Sequence, residues 1–82
     1  MESLQYVIDS LCSKLTVESM FDMIKLRLGQ GPFQMKEIIP LIRSKDRSLD
    51  DDSARMIAEA AMADLVQRGD IRMDGDRVYP AA

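Results

Sequence analysis

Apolar residues in the first part of the chain recur at the three- and four-residue spacing of an α-helix. This periodicity predicts a first amphipathic helix over residues 2–14, and Cys12 is expected to be a small buried hydrophobe within it. Its apolar stripe consists of Leu4, Val7, Ile8, Leu11 and Leu15.

The apolar stripe then changes phase, which predicts a second helix. Thr16 stands at the change and is a good N-cap, because its hydroxyl can accept a hydrogen bond from a free helical N–H. Gly29 is expected to end the helix in a left-handed conformation. The second stripe consists of Val17, Met20, Phe21, Ile24 and Leu28.

A break at Gly31-Pro32 separates this pair of helices from the rest of the chain. Phe33-Gln34 then predicts a very short strand, and helical spacing resumes at Met35. Pro40 is tolerated in a helix only near the first turn, because it has no N–H to donate. The third helix is therefore expected over about residues 36–44.

The second half of the chain predicts a long helix followed by a hairpin. Ser48 and Asp51 match a capping box, and an Ala-rich helix is expected over residues 50–68, ending at Gly69. Asp74-Gly75, between two short strand-like runs, predicts a two-residue hairpin turn. The face of the long helix expected in the core consists of Ala54, Ile57, Ala58, Ala61 and Leu65.

Composition limits the classes of function. The chain has 82 residues, which is enough for one small domain with little room for an enclosed catalytic pocket. It contains no histidine and one cysteine, so neither an internal disulfide nor a His- or Cys-based metal site is expected. We therefore predict a protein that is not an enzyme and uses no cofactor or metal. The sequence shows neither a signal-peptide pattern nor a membrane-spanning run, which predicts a cytoplasmic protein.

Two segments carry a resemblance to a known superfamily. The run of residues 31–39, GPFQMKEII, resembles the entry from the first strand into the second helix of winged helix-turn-helix domains. The run of residues 65–79, from Leu65 through Gly69 to Tyr79, is similar to their closing helix, strand, wing and strand. The fold class implied is α+β and helix-dominated, with an extra N-terminal helix over residues 1–15 and the winged-helix domain over 16–82.

The resemblance implies a DNA-binding transcriptional regulator. The helix over residues 50–68 would be the recognition helix in the major groove, and the hairpin would be the wing. The predicted turn also places Arg72 directly opposite Arg77, and their repulsion would be offset by Asp70, Asp74, Asp76 or a bound phosphate. The six side chains expected to hold duplex DNA are Arg43, Lys45, Arg47, Arg55, Arg72 and Arg77.

Charge favours a different partner. The net charge is −3, and the outward stripe of the long helix is acidic and apolar where a DNA-reading helix carries basic or amide side chains. The alternative function is therefore an acidic winged-helix module that binds a protein. Its contact residues would be Asp52, Met56, Glu59 and Ala63.

The first helix leaves two possibilities open. Its apolar stripe either covers the core of its own domain or pairs with its copy in a homodimer. No membrane partner is expected in either case.

Overall fold

The computed structural model describes residues 3–81, which form α1 (Leu4–Ser10), α2 (Val17–Leu28), β1 (Phe33–Gln34), a 3-10 helix (Met35–Glu37) and α3 (Ile38–Lys45), followed by α4 (Asp51–Gln67), β2 (Ile71–Asp74) and β3 (Arg77–Pro80). The fold class is α+β and mostly helical. The predicted short strand, long fourth helix and C-terminal hairpin are all present. Positions 1, 2 and 82 of the predicted helix and domain ranges lie outside the described residues.

The three strands form one antiparallel sheet in the order β1-β3-β2. Phe33 pairs with Val78, so the short strand that precedes α3 joins the C-terminal hairpin. This arrangement is compatible with a winged-helix layout, in which three helices pack beside a small sheet.

A single hydrophobic core joins all the helices to the sheet. The five α4 residues predicted to face the core are all buried, and Met62 joins them. The apolar side of α1 packs there too, through Leu4, Val7 and Ile8. Between residues 3 and 81, no helix is both long enough and apolar enough to cross a bilayer.

The first helix is shorter than predicted. It ends at Ser10, with hydrogen bonds from the Ser13 amide to the Ile8 carbonyl (3.0 Å) and from the Cys12 amide to the Asp9 carbonyl (3.1 Å). These two bonds form a Schellman motif, which needs a left-handed residue just after the helix. Cys12 occupies that position with φ 52° and is exposed, so the prediction of a buried cysteine was wrong.

The ends of α2 and α3 confirm some predictions and correct others. Thr16 caps α2 as predicted, accepting from the Ser19 amide. Gly29 has φ −62° and is not left-handed, because the chain leaves α2 through further tight turns and reaches positive φ only at Gly31. Pro40 lies in the first turn of α3, where the N–H that proline lacks would have no acceptor within the helix.

A buried carboxylate fixes the loop between α3 and α4. Asp46 is 3% exposed and accepts hydrogen bonds from the Ser13 hydroxyl, the Lys14 amide, and both the amide and the hydroxyl of Ser48. These hydrogen bonds hold the pKa of Asp46 far below its usual value. The bond from the Ser48 hydroxyl has the largest effect, followed by the bond from the Lys14 amide.

The predicted capping box of Ser48 and Asp51 was wrong, because both side chains have other partners. The Ser48 hydroxyl donates to Asp46 at 2.6 Å, and the Asp51 carboxylate accepts from Arg43 at 2.8 Å. Asp50 is the N-cap of α4 and accepts from the Ser53 amide at 2.7 Å.

The hairpin turn lies one residue later than predicted. Asp74 pairs with Arg77, so the two loop residues are Gly75 and Asp76, and Gly75 has φ 62°. Arg72 therefore faces Tyr79 rather than Arg77. The predicted repulsion between Arg72 and Arg77 is absent from this register, and with it the specific reason to expect a phosphate there.

Candidate interaction surface

The outward stripe of α4 is exposed along most of its length. Asp52, Met56 and Glu59 are exposed and Ala63 is half-buried, as the helical spacing predicts. Met56 is 48% exposed, which is high for an apolar side chain. The stripe combines carboxylates with apolar atoms.

A groove runs between this stripe and the hairpin. Its volume is about 330 Å³, and most of its wall is apolar. We call it the hairpin groove, and it is lined by Met35, Glu59, Met62, Ala63, Met73, Gly75 and Asp76. Two of the four predicted protein-contact residues, Glu59 and Ala63, therefore belong to a concave surface. Asp52 and Met56 continue the same helical stripe outside the groove.

The two walls of the hairpin groove are held at a fixed separation. Gly69, with φ 80°, ends α4 and turns the chain back so that Ile71 is buried against the core. At the far end, the Met35 amide donates to the Asp76 carbonyl at 2.7 Å and ties the hairpin tip to the 3-10 helix. The groove is thus a preformed feature of the fold.

Charge in the hairpin groove is negative. The ionisable residues that line it are Glu59 and Asp76, and none of its lining residues is basic. The apolar part comes from three methionines, whose unbranched side chains adapt to differently shaped partners. This groove can hold an apolar side chain while its carboxylates attract a neighbouring positive charge.

The predicted DNA contact Arg43 is engaged within the chain. Its guanidinium donates to the Asp51 carboxylate at 2.8 Å and to the Leu49 carbonyl at 3.2 Å. These bonds join the last turn of α3 to the first turn of α4 and to the loop just before it, so Arg43 acts as a brace between the helices.

Replacing Arg43 with alanine is expected to lower the free energy of unfolding by about 0.5–1 kcal/mol, because the ion pair is largely exposed and the carbonyl bond is part-buried. Thermal denaturation measures this change. Arg47→Ala is the matched control and should be neutral, since Arg47 is exposed in the α3–α4 loop, lines neither groove and forms no ion pair among residues 3–81. Equal stability of the two variants would contradict the bracing role.

The two hairpin arginines lie on the outer face of the sheet. Side chains alternate along a strand, and Ile71, Met73 and Val78 take the inner face. Arg72 and Arg77 therefore share the outer face, where the Arg72 guanidinium lies 5.9 Å from the Tyr79 ring centroid and Arg77 is the cross-strand neighbour of Asp74. This face points away from α4.

The remaining predicted DNA contacts lie on different elements of the chain. Lys45, Arg47 and Arg55 are exposed and form no ion pair within the described part of the chain. Lys45 lines a different groove, between α2 and α3. The six predicted basic residues thus lie in five places. Arg43 joins α3 to α4, Lys45 lines the second groove, Arg47 is in the α3–α4 loop, Arg55 is on α4, and Arg72 and Arg77 are on the outer face of the sheet.

The second groove is the larger of the two, at about 650 Å³. We call it the α2–α3 groove, and it is lined by Ser19, Asp22, Met23, Leu26, Arg27, Gln30, Glu37, Leu41, Ser44 and Lys45. Leu26 is 77% exposed and Leu41 is 38% exposed. The sequence interpretation missed this surface. Its signal was available, because Leu26 falls outside the apolar stripe of α2 and Leu41 falls outside the buried face of α3, which consists of Ile38, Ile39 and Ile42.

Comparison with protein-family models, with curated proteins and with solved structures finds no match for this chain.

Proposed function

We propose that the chain is a winged-helix protein-interaction module that uses the hairpin groove to bind a basic, apolar segment of a partner protein. The observation that carries this proposal is the chemistry of the groove: three methionines and an alanine beside Glu59 and Asp76. The apolar wall suits one inserted side chain, and the two carboxylates suit a flanking lysine or arginine.

The position of the groove supports this choice over duplex DNA. In a winged-helix layout the outward face of α4 is the surface that would approach a DNA groove, and phosphates attract basic side chains there. Here the same face presents two carboxylates, Asp52 and Glu59. An acidic surface repels a phosphate backbone and attracts a basic peptide.

Selection from a displayed library of random 12-residue peptides tests the proposal without a known partner. We expect the protein to enrich peptides with one large apolar residue flanked by lysine or arginine. Glu59→Lys reverses a charge at the groove and is expected to weaken the enriched peptides at least about tenfold. Fluorescence anisotropy with labelled peptides measures the dissociation constants.

Glu18→Lys is the matched control for this experiment. It makes the same charge change on the exposed first turn of α2, and Glu18 lines neither groove. Unchanged affinity in Glu18→Lys with loss in Glu59→Lys supports the hairpin groove as the binding site. Failure to enrich any peptide, or an equal loss in both variants, contradicts the proposal.

Duplex DNA is the second candidate partner, favoured by one observation. Five of the six predicted contacts are exposed and form no ion pair within residues 3–81, so their charges are free to meet phosphates: Lys45, Arg47, Arg55, Arg72 and Arg77. A titration against a random 24-base-pair duplex at about 50 mM and about 200 mM salt separates the candidates. DNA binding predicts an affinity that falls steeply with salt and rises in Glu59→Lys, whereas the protein-binding proposal predicts no binding at either salt concentration.

A further inference from the structure

The most exposed large apolar side chain in the described residues lies outside the hairpin groove. Leu26 is 77% exposed on the outer side of α2, and Leu41 on α3 is 38% exposed across the α2–α3 groove. Met23 is buried at 8% exposure and also lines the groove. These two leucines face water on neighbouring helices. Covering them is favourable, because it removes apolar surface from solvent.

The charges of this groove balance. Arg27 donates to the Glu37 carboxylate at 2.9 Å, and its guanidinium lies 5.0 Å from the centre of the Phe33 ring, so both of these charges are satisfied within the chain. The two charges left are Asp22 on α2 and Lys45 on α3, which form no ion pair in the described structure.

We infer that the α2–α3 groove is a homodimer interface, occupied by the same groove of a second copy of this chain. A two-fold axis makes each contact occur twice, with a residue of one copy meeting a different residue of the other. A surface that carries one unpaired acid, one unpaired base and two exposed leucines is complementary to itself in this way. Leu26 packs into the partner's groove, and Asp22 of each copy pairs with Lys45 of the other.

Neither a basic segment nor DNA suits the α2–α3 groove, because its four lining charges sum to zero. The apolar stripe of α1, the surface first considered for a homodimer, packs into the core of its own chain through Leu4, Val7 and Ile8. The α2–α3 interface leaves the hairpin groove free on both copies, so this inference stands independently of the proposed function.

Sedimentation equilibrium from about 1 to 500 µM measures the association. A patch limited to two short helices is at the small end of specific interfaces, so we expect a reversible dimer with a dissociation constant in about the micromolar range. Leu26→Asp places a charge at the centre of the interface and is expected to leave a monomer over this whole concentration range. The variant should keep its fold, because the side chain it replaces is already in solvent. A monomeric wild-type chain up to 500 µM overturns the inference.

Exchanging the two charges distinguishes this interface from nonspecific association. Asp22→Lys or Lys45→Asp alone places like charges together at both symmetric contacts, and each is expected to weaken the dimer about tenfold. The double variant Asp22→Lys/Lys45→Asp restores the opposite pairing and is expected to recover most of the wild-type affinity. A double variant weaker than either single variant contradicts the proposed pairing.

Val66→Asp is the matched control for Leu26→Asp. Val66 is 43% exposed near the end of α4 and lines neither groove. Its replacement by aspartate should leave the dimer unchanged. If Val66→Asp dissociates the dimer and Leu26→Asp does not, the copies associate through another surface and the inference fails.

Discussion

Replacing Phe33 with alanine is expected to lower the free energy of unfolding by about 3–5 kcal/mol. Phe33 is 1% exposed, pairs with Val78 across the sheet, and carries the Arg27 guanidinium 5.0 Å from its ring centre. Its removal leaves a cavity where β1 meets the helices and takes away the stacking partner of Arg27. A domain of this size has a total stability of about 4–12 kcal/mol, so the melting temperature should fall by about 20 °C.

Two further variants serve as controls for Phe33→Ala. Phe33→Leu retains most of the buried volume and should cost less than about 1.5 kcal/mol. Val66→Ala truncates an exposed side chain and should change stability by no more than about 0.5 kcal/mol. If Phe33→Ala is as mild as Val66→Ala, then β1 is not packed on the core and the placement of the hairpin beside α4 is wrong.

Replacing Asp46 with alanine is expected to lower the melting temperature by on the order of 10 °C. The carboxylate accepts four hydrogen bonds, and two of the donors, on Ser13 and Lys14, come from the segment between α1 and α2. Without the Asp46 carboxylate these donors have no acceptor, and the loop that leads into α4 is no longer bonded to the segment between α1 and α2. Asp9→Ala, which removes an exposed carboxylate, is the control and should be close to neutral.

The effect of Asp46 should also depend on pH. Hydrogen bonds to the ionised form, led by that of the Ser48 hydroxyl, hold its pKa lower in the folded chain than the value of about 3.9 for an unfolded aspartate. The stabilisation is therefore complete above about pH 5 and shrinks as the pH falls below about 4. The difference in melting temperature between the wild type and Asp46→Ala should narrow from pH 6 to pH 2. A difference that is constant over this range contradicts the role of the ionised carboxylate.

Local sequence patterns predicted the elements well because each pattern matches the geometry of its element. The apolar stripe of α4 and the Gly69 signal were sufficient to place the longest helix within one or two residues of its observed ends. The outward stripe followed from the same spacing, so half of the residues predicted for protein contact lie in the hairpin groove.

The hairpin register was not determined by the apolar pattern. The predicted and observed pairings both put Ile71 and Val78 on the same face of the sheet, so burial alone cannot choose between them. The observed register brings Asp74 opposite Arg77, whereas the predicted one would have brought two arginines together. Side-chain charge favours the observed register, as does the position of Gly75 at the turn residue with φ 62°.

Contacts between distant parts of the chain account for two further features that the sequence did not predict. Asp46 accepts from Ser13 and Lys14, which are more than thirty residues earlier in the sequence, and no local pattern links them. The hydrogen bonds from Ser13 and Lys14 to Asp46 also favour an early end of α1. The apolar spacing continues to Leu15 and therefore predicted a longer helix. The hairpin groove itself depends on the bond from the Met35 amide to the Asp76 carbonyl, which joins two segments 41 residues apart.

A methyl-methionine spectrum, with 13C label on the methionine methyl groups, tests the hairpin groove most directly. The probe is a lysine-flanked peptide from the library selection, and single Met→Leu variants assign the signals. The methyl groups of Met35, Met62 and Met73 are expected to shift as the peptide is added, while the fully buried Met20 stays unchanged. Shifts confined to Met23, in the α2–α3 groove, or no shifts at a saturating peptide concentration would contradict binding in the hairpin groove.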